Sequence, residues 1–203
     1  MKSSPVQPSQ AYGSAYHASH AKRIFDLFFC LLSAPVVLPL LAILLPLVWW
    51  ADGTPVFFRQ VRVGLHGKAF AMYKIRSLKR TFDSSPGRIH TSADIHWVGK
   101  LMRATRLDEL PQWWNILKGE MSWVGPRPEV PFYVEHFSSQ HPEYRQRELA
   151  RPGIAGLAQL NNPNALPADN LEKLVFDLDY VRRATIWLDL KILFRSFVLV
   201  LFK

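Results

Sequence analysis

Cysteine is almost missing from this 203-residue chain, and its scarcity excludes several chemistries at once. Cys30 stands alone inside an apolar run, so no intrachain disulfide can form and no thiolate cluster can hold zinc. The seven histidines show neither HxxxH nor HExxH spacing, which leaves them as ordinary core or surface residues. Internal repeats are absent. Acidic residues are outnumbered, 16 against 25 Lys and Arg, giving a formal net charge of +9. Such an excess suits a polyanionic partner: nucleic acid, an anionic membrane surface or a phosphorylated substrate. Composition does not choose among the three. At 49% hydrophobic residues the chain is too apolar for a disordered protein.

Charge is missing altogether from Leu27 to Ala51, a run of 25 residues. As a helix this is long enough to cross the ~30 Å hydrocarbon core of a bilayer. A cleaved signal peptide is excluded, since its apolar core is about 7–15 residues, whereas this run is longer and ends in Trp49-Trp50 without an A-x-A site. Pro35, Pro39 and Pro46 interrupt it, and an interior proline removes a helix hydrogen bond and bends the helix. Lys22 and Arg23 precede the run, and Arg59, Arg62 and Lys68 follow it. Basic residues concentrate on the cytoplasmic side, so charge at both flanks predicts that both ends lie on that face. The expectation is a re-entrant membrane helix over 22–51, broken at Pro39, with Trp49 and Trp50 in the headgroup layer. A single span with proline kinks stays open as the alternative. Residues 1–21, rich in Ser, Gln, Ala and Pro at their start, are expected to form a mobile tail.

Residues 52–203 are long enough for a modest core of their own. PVFFRQVRVG (55–64), the turn LHGK and AFAMYKIRSL (69–78) read as a β-hairpin. TFDSSPGR (81–88) has loop composition. Ile95, Val98 and Met102 follow helical spacing to about Arg103. A second helix is expected over 110–118, with Pro111 in its first turn and Gly119 at its end. The three prolines of VGPRPEVP (124–131) require extended chain. Two more helices are expected at 169–184 and 186–202, the last packing on a bilayer surface or in the core.

The densest chemistry lies in RATRLDELPQWWNILKGEMSWVGPRPE (103–129). Asp108 and Glu109 are adjacent carboxylates at, or just before, the start of a short helix, where the backbone favours negative charge. Arg103, Arg106 and Arg127 surround them in sequence, with Lys100 and Lys118 nearby. This set suits phosphoryl transfer: one carboxylate attacks phosphorus or holds a divalent metal, and arginines neutralise the phosphate oxygens. Mg²⁺ needs only one or two carboxylates beside water and substrate phosphates. A D-E pair alone would more often be a helix cap and a solvated charge. The pair becomes informative together with the rigid GPRP segment and the membrane helix.

In that light the sequence resembles the monotopic phosphoglycosyl transferases, or bacterial sugar transferases, from Lys22 to the C-terminus. The signatures occur in order: KRIFD (22–26), PVFFRQVRVG (55–64), MYKIRSL (72–78), LDELPQWWNILKGEMSWVGPRP (107–128), RPGIAGLAQL (151–160) and WLDLKI (187–192). The resemblance implies an α+β, mainly helical fold with a proline-broken re-entrant helix, a small β-hairpin and amphipathic interfacial helices around a compact cytosolic domain. It implies a bacterial inner-membrane enzyme on the cytoplasmic face, transferring a phospho-sugar from a UDP-sugar to undecaprenyl phosphate. Asp108 would be the nucleophile of an aspartyl phospho-sugar intermediate, with UMP released, and Glu109 the Mg²⁺ ligand. Arg103 and Arg127 would bind phosphate groups, with Lys74, Arg76 and Arg151 as further contacts. Membrane lipids are implied partners, no nucleic acid is expected, and a homo-oligomer stays open.

Three departures stand out. Leu38 precedes the breaking proline where the family often has Ser, KIRSL replaces KFRTM, and Asn161-Asn162-Pro163-Asn164 replaces NGRN, losing an arginine that bears on sugar choice. Two other readings compete: a non-catalytic, membrane-anchored basic module for lipid or nucleic acid, and a degenerate family member that assists assembly. The first leaves the LDELPQ and GPRP blocks without a purpose, and the intact Asp108-Glu109 pair argues against the second.

Overall fold

The computed structural model describes residues 14–81, 91–162 and 170–201. It is mainly helical, with two small two-stranded sheets. Its first long element, α1 (His20–Asp52), starts where the Ser19 hydroxyl accepts from the Lys22 amide and stops at Gly53, whose φ is +69°. The helix is continuous through Pro35, Pro39 and Pro46. A proline removes one backbone bond, and neighbouring turns can carry a helix past it. At Pro39, therefore, the chain remains helical where the sequence suggested an interruption.

Helix α1 lies along the rest of the protein and does not project away from it. Cys30, Val37, Leu44 and Val48 are buried along its length. Each of the buried Val and Leu side chains contributes about 1.5–3 kcal/mol by leaving water. Cys30 packs with Phe70, Met72 and Ile116, while Leu44 and Val48 pack with Ile75, Val98 and Met102. Both halves of the helix thus dock on one body. The opposite face leaves Ile24, Phe28, Leu31, Leu32, Val36 and Ile43 exposed, an apolar surface on a helix long and apolar enough to cross a membrane.

The hairpin forms as its alternation predicts, with β1 (Phe57–Val63) antiparallel to β2 (Ala69–Ile75) and Lys74 opposite Phe58. Helix α2 (Trp97–Thr105) buries Val98 and Met102, and α3 (Gln112–Lys118) ends at Gly119 with φ +79°. The next strand, β3 (Ser122–Val124), pairs in parallel with β4 (Gly153–Ala155). Between these strands lie α4 (Pro131–Gln140) and a 3₁₀ segment over Pro142–Leu149, neither of which has a clear sequence period. The short α5 (Leu157–Asn161) follows β4, and α6 (Asn170–Arg183) and α7 (Ile186–Leu201) close the fold. The core between them gathers Val124, Ala155, Tyr180, Val181 and Ile192.

Of the tail expected over 1–21, residues 1–13 lie outside the described residues, while residues 14–21 are structured. Ser14 Oγ donates to the Ala184 carbonyl at 2.7 Å, and the Tyr16 hydroxyl donates to Asp189 at 3.0 Å. A 3₁₀ turn over Ala15–Ala18 fixes this strap, with His17 buried against α6. Polar composition hid it, because its anchors are hydroxyl and imidazole groups and not an apolar period. The loop expected at 81–88 falls outside the described residues after Thr81.

Candidate active site

The site forms where α2 gives way to α3. Arg106 ends α2 in the left-handed region (φ 58°, ψ 18°), an uncommon conformation for a side chain with a Cβ. The reversal it makes throws Leu107–Glu109 into a single 3₁₀ turn, with the Glu109 amide donating to the Arg106 carbonyl at 3.1 Å. Asp108 and Glu109 are both buried there, at 9% exposure. They lie on the turn before α3, as the sequence reading allowed.

The two neighbours have different surroundings. Glu109 Oε1 accepts from Lys74 Nζ at 2.7 Å and from Arg127 Nη2 at 2.5 Å. Burial opposes ionisation of Glu109, but the fields of Arg127 and Lys74 and their hydrogen bonds outweigh it and hold the carboxyl far below the usual range. Asp108 makes no hydrogen bond to another side chain among the described residues. Burial raises its pKa, and Glu109 pushes the same way against the pull of Lys74 and Arg103.

Each cation arrives from a different element. Lys74 comes from β2, which Asn115 of α3 fastens by donating to the Ala71 carbonyl and accepting from the Tyr73 amide. Arg127 follows Gly125, which packs backbone to backbone on Gly153: a Cβ on either would lie 2.1 Å from a backbone atom. The Arg127 carbonyl accepts from Arg147 Nη2 at 2.9 Å, and the Pro128 carbonyl accepts from Arg62 Nη1 at 2.9 Å. Arg147 also grips Asp177 of α6 at 2.6 Å and bonds the Tyr144 hydroxyl at 2.8 Å. The GPRP segment is therefore held on both sides.

Asp108, Glu109, Lys74, Arg103, Arg106 and Arg127 line one cavity of about 330 Å³. Arg147, Lys173, Glu129 and Asp177 complete its charged wall, so six cations face four carboxylates. The Arg103 Nη1 is buried without a hydrogen-bond partner among the described residues, as suits a group awaiting an anion. A second polar cavity of about 320 Å³ shares Lys74, Arg103 and Asp108, and Arg76 lines it. Arg76 also binds Asp52 and the Asp52 and Gly53 carbonyls, so it ties the end of α1 to β2. Arg151 lines neither cavity. Lys118 pairs with Glu120 instead of the site, and Lys100 is solvent-exposed. Sequence reasoning missed Arg147, Lys173, Glu129 and Asp177. Glu129 directly follows GPRP, which does not itself single it out; Arg147, Lys173 and Asp177 come from segments without a local motif, and only packing of α6 against the 3₁₀ segment delivers them. Asn162 lines the first cavity, while Pro163 and Asn164 lie outside the described residues.

No cluster of three or more His, Cys, Asp or Glu able to cage a metal occurs among the described residues. Glu109 Oε2, whose contact with Arg127 is 3.5 Å, fits a hard cation only as a lone carboxylate. That suits Mg²⁺ brought in with substrate phosphates.

A cationic cavity holding two unequal carboxylates, in a protein whose first helix is long and apolar enough to cross a membrane, suits the binding of phosphate groups. Residues 17–203 match the bacterial sugar transferase family, and the chain belongs to it. It is 36% identical over 178 residues to an Aeromonas hydrophila protein named UDP-N-acetylgalactosamine-undecaprenyl-phosphate N-acetylgalactosaminephosphotransferase, covering 86% of this chain and 42% of the relative. A Klebsiella pneumoniae UDP-glucose:undecaprenyl-phosphate glucose-1-phosphate transferase is 40% identical over 179 residues, covering 85% and 38%. The Bacillus subtilis sugar transferase EpsL, itself uncharacterised, is 37% identical over 172 residues, covering 85% and 83%. The chain thus spans about two fifths of the first two relatives and most of the third.

Proposed function

We propose that this chain transfers a phospho-sugar from a UDP-sugar to undecaprenyl phosphate, giving undecaprenyl-diphospho-sugar and UMP by way of an aspartyl phospho-sugar on Asp108. The observation that carries the reading is the division of labour between adjacent carboxylates. Glu109 is locked ionised by Lys74 and Arg127, whereas Asp108 makes no hydrogen bond to another side chain among the described residues and burial makes it more basic than an ordinary aspartate. A basic carboxylate among arginines is the better nucleophile towards phosphorus.

An Asp108 oxygen attacks the sugar-bearing phosphorus, the bond to the bridging oxygen breaks, and UMP departs with that electron pair. An oxygen of the lipid phosphate then attacks the same phosphorus and releases Asp108. Arg103 and Arg127 neutralise the phosphate oxygens in both steps. Glu109 would hold Mg²⁺, which supplies charge neutralisation on the diphosphate when bound.

The apolar outer face of α1 and the docking of both its halves on one body support a re-entrant seat in the inner membrane. The cavity would then stand at headgroup level on the cytoplasmic face. The names of the relatives support a UDP-sugar donor, transfer of its sugar-1-phosphate and this acceptor, and leave the sugar open between glucose and N-acetylgalactosamine types.

The test is UMP release by purified protein from a panel of UDP-sugars with Mg²⁺ and undecaprenyl phosphate, beside Asp108→Asn. Release that needs lipid and metal and vanishes in the variant supports the transferase. A folded protein that releases no UMP from any sugar counts against it and for a non-catalytic lipid-binding module.

A further inference from the structure

A second chamber touches the polar cavity and differs from it in chemistry. It has a volume of about 190 Å³, and Val37 of α1, Trp113, Trp123, Ile154 and Leu199 of α7 give it an apolar wall. Arg106, Glu109 and Gln159 line this chamber and the polar cavity alike, so the two share a boundary. Of the four arginines around the polar cavity, only Arg106 faces both spaces.

We infer that this chamber seats the first isoprene units of the acceptor lipid, with Arg106 gripping the lipid phosphate at the boundary; the inference rests on the transferase reading above. Arg127 is committed to Glu109, and Arg147 to Asp177. The Arg106 guanidinium has no side-chain partner among the described residues, so its charge is available to a phosphate monoester. A ligand that spans the boundary must be anionic at one end and apolar at the other, which fits a polyprenyl phosphate and not a nucleotide sugar. Next to Val37, the α1 residue Val36 is exposed, as is Phe197 beside Ser196, a lining residue of the chamber on α7. The chamber is therefore flanked by the apolar surfaces expected to face lipid. A larger apolar pocket beside Leu38 and Trp114 has no charged wall and shares no boundary with a cation, so it offers the phosphate nothing.

The experiment uses full-length protein in nanodiscs, with Ser196→Trp to fill the chamber and Arg106→Ser to remove the grip. Leu199→Trp replaces Ser196→Trp should the latter fail to fold. Both changes should raise the KM for undecaprenyl phosphate by about tenfold or more and move the KM for UDP-sugar by less than about twofold. Unchanged acceptor KM in an active, folded protein would overturn the chamber and leave the transferase standing. Direct binding of farnesyl phosphate separates the two ideas when turnover is absent with every sugar. Tight binding by the native chain that both variants weaken about tenfold supports the chamber; equal binding in all three overturns it. Inorganic phosphate should compete poorly. If it displaces farnesyl phosphate at equal concentration, Arg106 marks a simple anion site without a tail chamber.

Discussion

Lys22 and Asp189, 167 residues apart in the chain, meet with Nζ 2.5 Å from Oδ2 in a site closed to water. Lys22 is 1% exposed and Asp189 0%. The Asp189 carboxylate also receives the Tyr16 hydroxyl at 3.0 Å and lies 2.8 Å from that of Tyr180, while Lys22 donates to the Val124 carbonyl at 3.0 Å. The KRIFD and WLDLKI signatures are thus one device: they bolt the start of α1 to α7 and to the strand before GPRP. Asp26 of the same signature accepts from Ser122 at 2.7 Å and extends the bolt into β3.

Removing one partner of such a pair leaves a buried charge alone. Lys22→Met or Asp189→Leu should each destabilise the fold by about 3–5 kcal/mol, whereas the two together should recover much of the loss. Denaturant unfolding in detergent measures it. A double variant as unstable as the sum of the singles would show that the pair itself contributes nothing.

Gly125 and Gly153 lock the GPRP and RPGIAG segments against each other. Their backbones touch, with no space for a methyl group between the Gly125 and Gly153 chains. Gly125→Ala should cost about 1–3 kcal/mol by overpacking, and it should lower kcat more than stability predicts because Arg127 sits two residues away. Turnover assayed well below the unfolding temperature decides this: kcat unchanged there would mean that Arg127 does not depend on the crossing.

Glu109 answers to two cations, so its neutral variant should disturb more than metal binding. Glu109→Gln should lower kcat by about 10²–10³ and raise the Mg²⁺ concentration needed for half-maximal rate. Titration of Mg²⁺ against UMP release, with EDTA-treated protein as the zero point, reads both. A variant with native metal dependence would remove Glu109 from the metal and leave it as a holder of Lys74 and Arg127.

Asp108 should carry covalent label when the protein meets a UDP-sugar labelled in its sugar without lipid acceptor. The adduct should be an acyl phosphate, labile to hydroxylamine and absent in Asp108→Asn. Label that never becomes protein-bound, in a preparation that turns over when lipid is added, would point to direct transfer between the substrates.

What could be read from the sequence follows from how local each signal is. The hairpin showed itself through alternation across 57–75, α3 through Pro111 and Gly119, and the carboxylate pair through its arginines. The strap at 14–19 and the parallel β3–β4 pair left no trace, since one rests on single hydroxyl contacts and the other joins three-residue strands about thirty residues apart. The grip of Arg147 on Asp177 likewise exists only after α6 has docked. Pro39 marks the opposite error of locality: its effect on hydrogen bonding is real, but packing on both sides of it keeps α1 helical.

His17 gives the strap a pH dependence. The ring is buried, with Nε2 3.0 Å from the Val181 carbonyl, and burial lowers its pKa from the ordinary 6.5, aided by Lys22 and opposed by the carbonyl. As pH falls, the unfolded chain therefore binds this proton before the folded one does. The stability that His17 lends is complete above the unfolded value near 6.5 and declines below it, until the folded ring takes up its own proton. Within that window the slope from one proton cannot exceed about 1.4 kcal/mol per pH unit. His17→Gln keeps a donor for the carbonyl and removes the titration. Unfolding free energies measured from pH 7.5 to 5 should fall less steeply in the variant, although it starts slightly less stable. Parallel curves would mean that the strap opens before His17 charges, so that its imidazole is already in water when the proton arrives.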